Sequence, residues 1–387
     1  MTDDVLIDKR VVVIGAGIIG AATAAQLAGK TKSVTLISEG DATSGASGRS
    51  LSWLNSLTTE SLEYHTLRME GIKRYRSWSS LRESEQYLRF HGGMYWDGVD
   101  GREVELLAGR AARFGYRIEL LSPDDAVRAE PTLERRSLPP TGVLFSPDEG
   151  WVDLPHLTAA LLADFAHAGG ELRLNSGPAR VVLSGDRVAT VVTGSGDEIP
   201  VDAVVLAAGA AVPAMVRDLT GFVIPDTTPT AVLIRTEAVN LGLRTVINSP
   251  LIAIRPHVDG GLVLDHDWAS HRLVQAADGS VSVDAQTVQA LLDEASAVLA
   301  GRPRLLARTV AIGQKPVPAD GLPVVGALAD VAGLYVAFSH SGATLGLVLG
   351  ELIAEEILTA SSTPLLANFR PARFDGAAAH SKDHPKA

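Results

Sequence analysis

The chain contains no cysteine. Disulfides, thiolate metal sites, cysteine nucleophiles and a thioether-linked flavin are therefore excluded. No apolar run approaches the roughly eighteen residues that a membrane-crossing helix needs. No low-complexity tract or long linker divides the sequence. Positive charge is scarce: 34 Lys and Arg stand against 45 Asp and Glu, a formal net charge of −11. That balance disfavours nucleic acid or an anionic membrane as the main partner. The start, Met1-Thr2-Asp3-Asp4, is acidic and leads straight into an apolar stretch. No secretory leader is expected, and the cytoplasm is the default location.

What the chain does have is 387 residues, 46% of them hydrophobic and 20% charged. That suits one very large domain or two interleaved ones around a sizeable core. The stretch Val11-Val12-Val13-Ile14-Gly15-Ala16-Gly17-Ile18-Ile19-Gly20 organises the rest. Four β-branched residues read as a buried strand of a parallel sheet. The glycines then turn the chain into an Ala-rich segment, 21–28, with good helix propensity. Gly15 permits the turn, Gly17 lets a pyrophosphate approach the backbone, and Gly20 lets helix and strand pack closely. The helix start offers N–H groups and partial positive charge to that phosphate. A second apolar run, Val34-Thr35-Leu36-Ile37, ends near Glu39, nineteen residues after Gly20, where a carboxylate can accept hydrogen bonds from an adenosine ribose. Strand, glycines, helix and acid together predict dinucleotide binding; the alternative is a Gly-rich helix start in an ordinary α/β domain. Glu39 would repel a ribose 2′-phosphate, which favours FAD or NAD over NADP.

The small and hydroxyl-bearing run from Asp41 to Ser50 reads as a surface loop or as a second phosphate-cradling loop, with Ser47 and Arg49 near the dinucleotide and Trp53 further in. Helices are expected over 60–82, 102–114, 123–129, 155–168 and 284–299. His65, on the first of these, is expected to be a surface or capping group. Strands are expected at 92–96, 142–145, 171–174, 180–183, 188–192 and 201–209, the last ending in small residues that let a ligand approach. From about 219 to 303 alternating runs such as Ala231-Val232-Leu233-Ile234 look antiparallel. Near the C-terminus, a strand at 333–338, the turn Ser339-His340-Ser341-Gly342 and an apolar helix to Leu358 repeat the strand–turn–helix pattern. They offer a second helix start to an electron-rich group. Asp265-His266-Asp267 does not read as a metal site, because neighbouring strand residues face opposite ways. The tail after Phe374 is expected to be mobile.

The N-terminal fingerprint, the 201–209 strand, Lys315-Pro316, Asp320-Gly321-Leu322-Pro323-Val324-Val325-Gly326 and His340-Ser341-Gly342 together resemble the D-amino-acid oxidase superfamily of FAD enzymes. The branch of glycine oxidase, sarcosine oxidase and D-amino-acid dehydrogenase is the most familiar match. The resemblance covers essentially the whole chain and implies an α/β fold. A Rossmann-like FAD-binding domain would comprise 1–88, 147–218 and 304–387. An interleaved α+β substrate domain on a mostly antiparallel sheet would comprise 89–146 and 219–303. It implies non-covalent FAD with its pyrophosphate at Gly15, Gly17, Ile19 and Gly20 and its ribose at Glu39. Ala46, Ser47 and Trp53 match positions running toward the flavin. Val181 matches the residue whose backbone meets adenine, Gly209 the small strand end, and Gly342, Ala343 and Thr344 the helix start facing the flavin O2 edge.

The same resemblance implies oxidation of the C–N bond of an amino acid or related amine, with a hydride passing to the flavin and the imine then hydrolysing. The substrate would sit between the flavin face and the antiparallel sheet, and the electrons would pass to oxygen or to a protein or quinone acceptor. Lys315 stands where the family often has the arginine that grips a substrate carboxylate; lysine keeps the charge and loses the fork. Ile252 stands where glycine oxidase has a substrate-side tyrosine, and Val263 near the place of the oxygen-activating lysine of sarcosine oxidases. Lys315 is the candidate substrate anchor, His340 lies near the ring, and Trp268 falls near a pocket position. Arg255 is a candidate carboxylate clamp or a strand-end polar residue. The other readings are oxidation of a 2-hydroxy acid or other alcohol, and a non-catalytic flavin-binding subunit of an amine dehydrogenase complex.

Overall fold

The computed structural model describes residues 6–98, 101–276 and 278–376. The acidic start and nearly all of the tail after Phe374 lie outside the described residues. The chain forms two compact units, the first Met1–Gly48, Leu154–Pro229 and Gln314–Ala387, the second Arg49–Asp153 and Thr230–Gly313. The boundaries expected at 218/219 and 303/304 fall at 229/230 and 313/314, and those at 88/89 and 146/147 move further, to 48/49 and 153/154. The reason is a small sheet in which Trp53–Leu54 and Leu88–Arg89 both pair antiparallel with Gly150–Val152. It ties 49–88 and 147–153 to one body.

The β-branched run of the first unit forms Ile7–Ile14, near the middle of a six-stranded sheet. The strand order is Val324–Ala327, Leu334–Phe338, Ala203–Leu206, Ile7–Ile14, Thr31–Ile37, Glu171–Arg173. Five of these strands run parallel, and Val324–Ala327 closes one edge antiparallel. Burial on both faces explains the near-continuous apolar runs at Val11–Ile14 and Ala203–Leu206. A separate three-stranded antiparallel sheet comprises Arg180–Ser184, Arg187–Val192 and Glu198–Pro200. Its apolar face joins the core around Val12, Val204 and Val336.

The helices Ile18–Leu27 and Gly342–Thr359 pack directly on each other. A Cβ at Gly346 would lie 2.4 Å from Ile18 Cγ1, and one at Gly350 would lie 2.5 Å from Ala22 Cβ and 2.7 Å from its carbonyl carbon. Residues four apart share a helix face, so Gly342, Gly346 and Gly350 form one bare ridge on which the first helix lies. Both helices start beside each other as a result: the position of a Gly342 Cβ is 3.9 Å from Ile18 Cγ2.

The second unit is built on an eight-stranded mixed sheet. Thr230–Thr236, Leu262–Asp265, Ala253–Pro256 and Val246–Asn248 follow one another antiparallel, and Val246–Asn248 then runs parallel to Gly93–Tyr95. The helix Ala285–Val298 covers the sheet with Leu291, Leu292 and Ala295 packed against Ile254 and Leu264. Side-chain caps set the helix starts that the sequence marks: Ser61 accepts from Tyr64 N, Ser122 from Asp125 N and Asp284 from Thr287 N. The helix expected over 60–82 is Leu62–Leu81, but His65 is buried, not on the surface. Its ring lies 5.2 Å from Phe114 and 5.3 Å from Tyr116, with Nδ1 2.9 Å from Ser56 Oγ. Burial first, then Arg68, holds its pKa below the ordinary value.

Candidate active site

The first turn is a close-fitted backbone cradle. Gly15 sits at φ +112°, a conformation that excludes ordinary side chains, and a Cβ there would lie 2.4 Å from Ala207 O. A Cβ at Gly20 would lie 1.9 Å from Gly15 O, so the helix rests on the turn itself. Gly17 precedes the helix, and a Cβ on it would meet only Ser47 Oγ, at 3.1 Å. The second glycine- and serine-rich loop docks on this turn. Thr43 N donates to Ala16 O (3.0 Å), and Ser47 Oγ accepts from Ile18 N (3.0 Å). Ala46 and Ser47 lie in the short turn Ala46–Gly48. Ile19 follows in the first helical turn, its carbonyl accepting from Thr23 Oγ1.

Glu39 is exposed, on a rigid mount. Ser176 N donates to Ser38 O, Gly177 N to Glu39 O and Asn175 N to Gly40 O. Val181 is buried in the small antiparallel sheet opposite Val191. Gly209 follows the strand Ala203–Leu206 at φ +58°. Gly342, Ala343 and Thr344 open the last helix. His340 is exposed in the turn before it, and Lys315 is half-buried with its backbone N–H on Pro229 O (2.8 Å).

The other candidates belong to the second unit. Arg49 is exposed, its Cδ occupying the space beside Gly313. Trp53 lies opposite Trp151 in the small sheet. Trp268 is half-buried; its indole donates to Leu251 O (2.8 Å) and the Arg272 guanidinium lies 4.8 Å from its ring. Arg255 is 2% exposed and fully engaged. Nε donates to Leu51 O (2.5 Å), Nη1 to Pro256 O (2.8 Å) and Nη2 to Asp153 (3.3 Å), with its carbon 5.4 Å from the Trp151 ring. Burial brings its pKa down to about 10 despite Asp153. Every guanidinium nitrogen already serves the framework, so the geometry gives Arg255 a bracing role and not the open fork of a carboxylate clamp.

Two acids in one short stretch escaped the sequence reading. Asp153 links Arg255 to His257, whose Nε2 lies 3.3 Å away, and His257 Nδ1 contacts Asp259 at 2.7 Å. Glu149 is wholly buried, with Oε1 accepting from the Tyr116 hydroxyl at 2.5 Å. Ser56 N in turn donates to that hydroxyl oxygen. The visible signal was an acid at each end of the otherwise uncharged run Glu149-Gly150-Trp151-Val152-Asp153.

A dinucleotide-type cradle, a parallel sheet and an interleaved mixed-sheet unit define an oxidoreductase architecture. A family model described as FAD dependent oxidoreductase (DAO) matches residues 10–356, and the chain belongs to that family. It is similar to D-amino acid dehydrogenase 2 of Ralstonia nicotianae (strain ATCC BAA-1114 / GMI1000), 26% identical across 92% of this chain and 98% of that protein. It is also similar to 4-methylaminobutanoate oxidase (formaldehyde-forming) of Paenarthrobacter nicotinovorans, 31% identical across 52% of this chain but 24% of that protein. Among solved structures, glycine oxidase from Geobacillus kaustophilus has the same fold, with a TM-score of 0.79, 23% identity and coverage of 94% of this chain and 99% of that one. Among the described residues, no helix is long and apolar enough to cross a membrane.

The residues present fit the cofactor that this family implies. Gly15 and Gly20 are sealed by backbone, Gly17 leaves the helix start bare, and Ser47 meets the first helical N–H. A diphosphate there would meet the remaining backbone N–H groups, the Ser47 hydroxyl and the positive end of the helix dipole.

Proposed function

We propose that the chain binds one FAD non-covalently and oxidises the C–N bond of an amino acid or related small amine. Held there, FAD would supply the hydride acceptor for the carbon next to nitrogen. The nitrogen gives up a proton, a C=N bond forms, and water converts the imine to a carbonyl compound and an amine or ammonia. The observation that carries this reading is the pairing of two helix starts, at Gly17 and at Gly342, across one glycine ridge.

In this reading Gly15, Gly17, Ile19, Gly20 and Ser47 hold the diphosphate, Glu39 the ribose, and the Val181 backbone the adenine. Ala46 and Gly209 of the first unit, and Arg49 and Trp53 of the second, are each assigned to the flavin side of the cofactor. Gly342, Ala343 and Thr344 present N–H groups where negative charge gathers on reduction. Lys315 attracts an acidic substrate group as a point charge, and His340 and Trp268 shape its surroundings. Arg255 holds Leu51 and Asp153 in place. The residues' work is orientation and exclusion of water, which is what hydride transfer needs.

The test is anaerobic bleaching of the visible flavin band by a panel of amines, amino acids and 2-hydroxy acids. Bleaching by an amine or amino acid is expected. Bleaching by 2-hydroxy acids alone, or by nothing in the panel while a partner protein co-purifies, contradicts the C–N reading. Admitting oxygen afterwards and measuring peroxide assigns the acceptor.

A further inference from the structure

We propose that Glu149 is the positioning residue for Trp53: a buried acid that, with Tyr116, fixes the indole and the strand that carries it. The inference rests on the proposed function only in that Trp53 matches a position running toward the flavin. The geometry itself lies wholly within the second unit.

Three elements converge on one point. Glu149 ends the turn before Gly150–Val152, Trp53 opens the strand paired with it, and Gly93 starts the strand Gly93–Tyr95 of the eight-stranded sheet. A Cβ on Gly93 would lie 2.2 Å from Glu149 Oε2 and 2.8 Å from Trp53 Nε1, so only a glycine leaves room for the acid and the indole to face each other here. The Tyr116 hydroxyl occupies the other carboxyl oxygen and takes the Ser56 N–H, which extends the brace along the segment following Trp53. Ser56 then contacts His65, and Asn55 accepts from Arg68, so Asn55 and Ser56, just after Trp53, are held by buried polar partners.

The charged and titratable groups facing Glu149 are few. Arg68 on the helix Leu62–Leu81 favours the carboxylate, as do the hydrogen bond from Tyr116 and the nearby Trp53 indole and Ser56 N–H groups. Burial outweighs them and pushes the carboxyl up to about 8. Burial also raises the Tyr116 hydroxyl well above its ordinary value, with the Glu149 charge adding to it. At neutral pH the Glu149 carboxyl therefore keeps its own proton. Raising the pH removes it and places a charge against the indole with no water to screen it.

The experiment uses the full-length chain and two readouts. Visible absorbance reports bound FAD. Indole fluorescence, taken as the parent minus Trp53→Phe, reports Trp53 from about pH 6 to about pH 10, a range spanning the shifted carboxyl. The parent's Trp53 signal should change with a midpoint near 8. Glu149→Gln, which keeps the shape and one acceptor oxygen for Tyr116 but cannot titrate, should abolish that transition. Gly93→Ala, which adds no charge and fills the meeting point, should alter the Trp53 signal at every pH. Superimposable titrations of the parent and Glu149→Gln, or a flat parent signal, overturn the proposal. A chain that takes up no FAD overturns the proposed function instead, and the indole titration still decides the role of Glu149.

Discussion

Arg255 and Lys315 carry the same charge, and both are candidates for a substrate carboxylate, yet the fold treats them differently. Arg255 is sealed in with Asp153 and two carbonyls, whereas Lys315 is half-buried. Replacing Arg255 with Leu leaves Asp153 buried without its guanidinium, a loss of about 3–5 kcal/mol. Thermal unfolding of Arg255→Leu should fall by many degrees; a clamp would instead show a raised KM at an unchanged Tm. Lys315→Ala should raise KM for an acidic substrate several-fold while FAD content stays at the parent level. Unchanged kinetics on that substrate would remove Lys315 from the site. Glu149 makes a separate prediction about pH. Its carboxyl rises from 4.5 unfolded to about 8 folded. Between those values the native chain holds a proton that the unfolded chain has lost, so stability falls as pH rises through that window and levels off above it. The effect is on the order of a few kcal/mol. Glu149→Gln should flatten this slope in Tm measured against pH and be the more stable protein at the alkaline end. None of this was visible in sequence, where a buried acid and an exposed one are spelled alike.

At the scale of elements, most of the fold was legible. The β-branched run at Val11, the Ser122-Pro123 helix start and the alternation at Ala231–Ile234 each carry their own period or cap. The very short strands did not. Trp53–Leu54 and Leu88–Arg89 have too few residues to show a period, and they are the ones that move 49–88 into the second unit. The ridge at Gly342, Gly346 and Gly350 was equally hidden, because its four-residue spacing has meaning only once Ile18 and Ala22 are known to lie on it. Gly350→Ala would drive its Cβ against the Ala22 backbone. Overpacking of this kind costs about 1–3 kcal/mol, or roughly 2–4 °C per kcal/mol in a domain of this size. Lower Tm together with weaker FAD retention is the expected pair of results, since the ridge sets both helix starts. Retention unchanged at a lowered Tm would separate the ridge from the cofactor.

For the whole molecule, family membership and the two helix starts point to one flavin nucleotide as the resident group. The absence of cysteine removes the thioether route to covalent attachment. Acid precipitation should therefore release the flavin entirely into the supernatant, and a yellow pellet would show a linkage through another residue. The most direct measurement is reconstitution: strip the full-length chain of nucleotide, add FAD, and determine flavin bound per chain from the visible spectrum after gel filtration. One FAD per chain, with NAD unable to compete, is the result that the proposed function predicts. A colourless chain that retains no FAD, or one that retains NAD in its place, would contradict it.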